Sequence, residues 1–224
     1  VKAEGPGSFV STTQSVCKDT LHGWMAVGGA RMVLERDCSS HRSRRCALLA
    51  AGEDSCIVAT VGMCARAAGL YGALAREGGR INLQGTSDIE SSSVGCSAQG
   101  AGSVLALGES STVFGRAWAG CAALEGATLF CEEKCVVRSE NISFYAAGPG
   151  SKLELWAGCL SAGGSVAFKA AGGALMILEA KCGANHCDTG YLAKGAGTRM
   201  QLGEGCYGDS CQMGLAAHKG AHIE

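Results

Sequence analysis

The sequence predicts an all-β solenoid, a single chain wound into about nine coils of 22–25 residues. Three observations predict it. A glycine returns at a nearly fixed interval, an apolar–any–apolar triplet follows it each time, and 35 glycines in 224 residues leave few windows able to sustain an amphipathic helix.

The repeats align on Gly7, Gly29, Asp54, Gly78, Gly102, Gly126, Gly150, Gly173, Gly197 and Gly220, and the one non-glycine anchor, Asp54, marks where the register is expected to be least secure. Three residues on lie Val10, Met32, Ile57, Ile81, Leu105, Leu129, Leu153, Met176 and Met200. Five residues on lie Thr12, Leu34, Ala59, Leu83, Leu107, Cys131, Leu155, Leu178 and Leu202, and the residue between is free to be Ser11, Asn82 or Glu154. That is the period of two of a strand with one buried face. Two prolines and the absence of Asn-Gly or Asp-Gly give weak hairpin signals, so equivalent strands must stack in parallel, coil on coil. Nine coils at the inter-strand spacing make a rod about 43 Å long.

The position after the anchor is always small, as at Ser8, Ala30, Ser55 and Gly79, which suits a tight corner. Nine residues after the anchor a further column reads Val16, Cys38, Met63, Ser87, Ser111, Cys135, Cys159, Cys182 and Cys206. An alanine recurs four residues before the anchor at Ala50, Ala98, Ala122, Ala146, Ala193 and Ala216, interrupted by Met25, Leu74 and Lys169. Each coil therefore holds at least two short strands, with a third expected, and the unbroken repeat implies one domain over residues 1–224.

This repeat, from about residue 7 to 220, resembles the right-handed parallel β-helix of pectin-lyase-like proteins. The resemblance implies a right-handed solenoid. It implies no single activity, because that fold serves lyases, polygalacturonases, tailspikes, adhesins and repeat scaffolds.

A formal net charge of −1 gives no argument for nucleic-acid or membrane binding, and no run of 18 apolar residues exists to span a bilayer. The basic run His41-Arg-Ser-Arg-Arg45 reads as a solvated corner, with a phosphate or glycan contact as the alternative. The chain does not begin with Met and reads as a mature or excised piece. Fourteen cysteines allow two readings. Either Cys135, Cys159, Cys182 and Cys206 form a buried thiol ladder, with Cys187 and Cys211 as a second one, or pairs such as Cys182–Cys187, Cys206–Cys211 and Cys131–Cys135 are oxidised. An even cysteine count and the sequon Asn141-Ile-Ser143, a candidate glycosylation site, favour an extracellular or cell-surface setting over an intracellular assembly. Zinc at Cys182, His186, Cys187, Cys206 and Cys211 is disfavoured, because stacked columns spread ligands along the rod. No metal or cofactor is expected.

Catalysis on such a fold would need an outer-face cluster. Glu35, Glu132 and Glu179, then Glu109, Glu133 and Glu204, form acidic stripes, and Arg31, Arg80, Lys152 and Arg199 a basic one. They read as the polar surface that any solenoid carries, and no loop interrupts the coils to build a site, so the reading leans away from an enzyme. The outward column Ser11, Val33, Val58, Asn82, Ala106, Phe130, Glu154, Ile177 and Gln201 is too mixed for ice binding, yet its apolar members, with Trp118 and Trp156, suggest an interface. The expected function is structural: a rigid module for assembly, adhesion or scaffolding, joined to other protein subunits end to end or laterally. The alternative is a carbohydrate-active or carbohydrate-binding β-helix of polyuronate-lyase type, with glycans as partners.

Overall fold

The computed structural model describes the backbone of all 224 residues and the side-chain setting of all but Ala67. Among the described residues every regular element is a short strand, 29 in number and two to six residues long. Each coil adds one strand to each of three parallel sheets. The first sheet runs from Lys2–Glu4 to Met213–His218 in ten strands, and the second from Phe9–Thr12 to His222–Ile223 in ten. The third runs from Val16–Lys18 to Tyr207–Asp209 in nine. The chain is thus a parallel β-solenoid of about nine turns, and each strand pairs with its equivalents one coil below and above.

The two inward columns of the second sheet stand in the register that the sequence implies, from Val10 through Met32 and Ile57 to Met200. All ten anchors hold a positive φ, which explains the glycine; Asp54 sits at φ 60, a region that aspartate tolerates better than most residues. Register holds through Asp54, where Cys56 and Ile57 pair with Arg31 and Met32. The irregularity lies further on, in the third sheet, where the pairing shifts between Ile89 and Ser91.

Two expected columns are corrected. In the short first coil Ser39 pairs with Val16, which places Ser15 below Cys38 and leaves Val16 53 % exposed. The alanine column also divides. Ala50, Ala98, Ala146 and Ala193 are inward, whereas Ala122 and Ala216 pair with Ser97 and Leu192 in an outward column that also holds Met25, Leu74 and Lys169. The true inward column is alanine without a break: Ala3, Ala26, Ala50, Ala75, Ala98, Ala123, Ala146, Ala170, Ala193 and Ala217.

The cause is an alternation between two kinds of corner. At Gly28-Gly29, Glu77-Gly78, Glu125-Gly126, Gly172-Gly173 and Lys219-Gly220 two successive residues have positive φ. At Gly5-Pro6-Gly7, Gly52-Glu53-Asp54, Gly100-Ala101-Gly102, Gly148-Pro149-Gly150 and Gly195-Ala196-Gly197 a middle residue separates them. The residue after the anchor follows the same alternation. Ser55, Ser103, Ser151 and Thr198 follow the longer corners; each hydroxyl donates to a carbonyl of its own corner, as Ser103 Oγ to Gln99 O at 2.7 Å. Each also accepts the anchor N–H of the shorter corner one coil below, as from Gly78 at 3.0 Å. After the shorter corners stand Ala30, Gly79, Ala127 and Ala174, where no such bridge is made. The structural unit is therefore a pair of coils.

Core volume is conserved within each coil. Where the inward side chain of the first sheet is Trp24, Leu48, Phe144, Phe168 or Tyr191, the third sheet places Ser40, Ala65, Ser161, Ala184 or Gly208 in the same coil. Where it is Ala73, Cys96 or Cys121, the third sheet places Ile89, Val113 or Val137. Phe144, Phe168 and Tyr191 stack at 5.0 and 5.1 Å. In the branched coils the adjoining first-sheet residue is glycine, since a Cβ at Gly120 would lie 2.1 Å from Val137 Cγ1.

Gly120→Ala should destabilise the fold by about 1–3 kcal/mol through overpacking. Combined with Val137→Ala it should cost less than the sum of the single changes, by about 0.5–3 kcal/mol; additive losses in denaturant unfolding would refute the volume trade. Ser103→Ala should cost about 1–3 kcal/mol by leaving the Gly78 N–H without its partner, while an equal cost for Ala127→Gly would show that the hydroxyl bridge contributes nothing special.

Candidate functional site

Two features rise above the repeat: a column of thiols inside the rod and an apolar face outside it. The fourteen cysteines are all free. Cys135, Cys159, Cys182 and Cys206 immediately precede the in-register residues Val136, Leu160, Gly183 and Tyr207, so they stack on four successive coils. Each thiol points the same way, donating to a carbonyl of the coil below. The acceptors are Gly108 O at 3.3 Å, Glu132 O at 3.1 Å, Trp156 O at 3.3 Å and Glu179 O at 3.2 Å. In that column Cys159 stands between Cys135 and Cys182, and Cys182 between Cys159 and Cys206. The chain of sulfurs continues from Cys135 to Cys131 and from there to Cys121 and Cys96. Burial pushes the Cys121 and Cys131 thiols well above the ordinary range. Cys135, Cys159 and Cys182 are fully buried; Cys206 is part-exposed.

Cys187 and Cys211 occupy the far side of the third sheet. Four residues separate Cys182 from Cys187 and Cys206 from Cys211, and three of each four are extended strand, Gly183–Asn185 and Tyr207–Asp209. His186 is exposed at a positive-φ corner while Cys182 and Cys187 point inward, so these side chains leave the backbone in different directions. Among the described residues no three His, Cys, Asp or Glu side chains converge as a metal site requires. Asn141 is exposed at a corner, followed by the buried Ile142 and Ser143.

The outer side of the first sheet carries two apolar clusters, each with a buried centre and a half-buried margin. One cluster joins Cys46, Leu49, Ala51 and Leu74 with the half-buried Met25, Val27 and Tyr71. A second joins Val94, Ala119 and Ala122 with Trp118, Leu124 and Tyr145. The Trp118 and Tyr145 rings meet edge to face at 5.6 Å, and the Lys169 ammonium lies 5.2 Å from the Tyr145 ring centre. Sequence reasoning missed this face because it assigned Met25, Leu74 and Lys169 to the alanine column. The outward column of the second sheet, from Ser11 through Phe130 to Gln201, has the expected register, with Val33, Val58, Phe130 and Ile177 half-buried.

Part of the acidic stripe is paired. Lys134 lies 3.1 Å from Glu109 and 3.9 Å from Glu133, and the Glu109 N–H donates to Glu132. In the basic run Arg42 forms a two-pronged contact with Asp19 at 2.7 Å, and Ser43 is buried against Ser40. Arg66 pairs with Asp88 on the same face. No known protein family, no curated protein and no solved structure matches the chain.

His22, on the outer face of the first sheet, has its Nδ1 buried with no partner among the described residues. Burial and then the nearby Arg45 and Arg76 charges lower its pKa. The unfolded chain therefore binds the proton more readily. Stability from this group is complete above the ordinary imidazole range, about pH 6.5, and declines as pH falls below it. His22→Gln should flatten that acid limb in pH-dependent unfolding; an unchanged limb would place its origin elsewhere.

Proposed function

We propose that the chain is a structural rod whose partners are other protein subunits, stacked end to end. The observation that carries this reading is that the same three ladders repeat coil on coil, so the upper edge of one coil has the register of the lower edge of another. Leu215, which continues the Phe144–Phe168–Tyr191 column, is 58 % exposed, and Ile223 continues the Met176–Met200 column half-exposed. The opposite end supplies matching rungs. Stacking the last coil on the first would set Leu215 against Val1, itself 52 % exposed, and His218 beside Glu4. It would also set the short corner Lys219-Gly220 against the long corner Gly5-Pro6-Gly7, which continues the alternation without a fault. Parallel edges at both ends offer free backbone groups for the same union. We place such a rod in an extracellular or cell-surface setting, a reading supported by the exposed Asn141 and the even number of cysteines.

A second reading has its own support. The Trp118–Tyr145 pair with Lys169 forms an aromatic and cationic shelf suited to an anionic polysaccharide. The same outer face offers the surface for lateral association.

Light scattering after size exclusion should show mass rising with concentration for the parent chain. Leu215→Glu should stay monomeric with unchanged far-ultraviolet circular dichroism; equal masses for the two at every concentration would overturn end-to-end stacking. Polygalacturonate titrated onto Trp118→Ala and the parent tests the shelf, which fails if the parent does not bind or if the two bind alike.

A further inference from the structure

We propose that the thiol column is a disulfide relay: Cys206 takes oxidising equivalents from a low-molecular-weight disulfide, and exchange along the column stores them as two inter-coil cross-links, Cys135–Cys159 and Cys182–Cys206. This goes beyond the structural reading, since it assigns the interior of the rod a chemistry that assembly does not need.

The geometry is set by the stacking. Strands in register lie about 4.8 Å apart, inside the Cα separation of about 4.4–6.8 Å that a disulfide spans. The four thiols share one orientation and stand on successive coils in the order 135, 159, 182, 206. A pair within one coil meets a worse geometry, because roughly 10 Å of extended strand stands between Cys182 and Cys187, and likewise between Cys206 and Cys211. Access is also ordered. Three of the four sulfurs are sealed in the core, and Cys206 alone among the four is part-exposed.

The steps balance. The Cys206 thiolate attacks the disulfide of oxidised glutathione, and one glutathione leaves and takes a proton. Cys182 attacks the Cys206 sulfur of the mixed disulfide, the second glutathione leaves, and Cys182–Cys206 forms. Cys159 then attacks Cys182 and frees Cys206. Cys135 attacks Cys159 and frees Cys182. A second oxidised glutathione closes Cys182–Cys206 again. Four protein thiols and two oxidised glutathiones become two protein disulfides and four glutathione thiols.

The test is oxidation of the monomeric fraction by oxidised glutathione, followed by intact mass and tryptic mapping under non-reducing conditions. Trypsin separates every rung, giving peptides 135–138, 153–169, 182–194 and 200–219. The parent should lose four hydrogens and yield two linked pairs, 135–138 with 153–169 and 182–194 with 200–219, the second assigned to Cys182–Cys206 by fragmentation. Cys206→Ser places a residue already tolerated in this column at Ser87 and Ser111, and should slow formation of Cys135–Cys159 by about tenfold or more. Cys187→Ser should oxidise as the parent does. The proposal is overturned by a parent that stays reduced, by links at Cys131–Cys135 or Cys187–Cys211 in place of these two, or by Cys135–Cys159 forming in Cys206→Ser at the parent rate.

Discussion

Everything in this molecule answers to one constraint: coils that stack at a single spacing must share a single core cross-section. Parallel strands fix the distance between coils near 4.8 Å, so a coil with an oversized interior would push its neighbours apart and break three ladders at once. The side chains obey this by trading volume across the tube. Trp24 faces Ser40, Tyr191 faces Gly208, and the slender Cys96 and Cys121 face Val113 and Val137. The ten-alanine column supplies a face of constant height against which these exchanges are made. Close packing of the interior then follows without any one position being fixed in size.

The second sheet was legible in the sequence because its strand follows the anchor at a fixed distance. Val10, Met32 and Ile57 could be aligned by counting, and the structure pairs them as counted. The first sheet was legible only in part, because its strand precedes the anchor across a corner of alternating length. Counting backward by four residues mixes Ala122, which faces out, with Ala98 and Ala146, which face in. The signal that resolves it was present: Ser8, Ala30, Ser55, Gly79, Ser103, Ala127, Ser151, Ala174 and Thr198 alternate hydroxyl with none. A hydroxyl after the longer corner reaches the N–H that the shorter corner leaves unpaired, so residue chemistry records corner length.

The same miscount hid the outer face. Met25, Leu49, Leu74 and Tyr145 lie on the outer side of the first sheet, where Leu49 and Leu74 are buried among their neighbours. Direct reading did find the thiol column, since Cys135, Cys159, Cys182 and Cys206 follow their anchors at a constant interval. Their common orientation was not legible, because it depends on carbonyls of the coil below, at Gly108, Glu132, Trp156 and Glu179. Spacing gives the column, and only three-dimensional stacking gives the acceptors.

These features converge on one end of the rod. In a solenoid each coil is held by its neighbours, so stability is local and the least covered coil opens first. Here the last two coils carry Tyr207, Met213 and Leu215, each at least 42 % exposed. They also carry Cys206, the top rung of the thiol column, stacked above Cys182 one coil down. A covalent link at that rung would tie this end of the rod to the coil beneath it and close a loop of about one coil, which restricts the opened chain. A second rod seated on Leu215 would hold the same end by burial instead, and would cover Cys206 as it did so. On these two proposals assembly and oxidation would be two ways of securing one end, and an end capped by a neighbour would no longer offer the thiol through which the interior is oxidised.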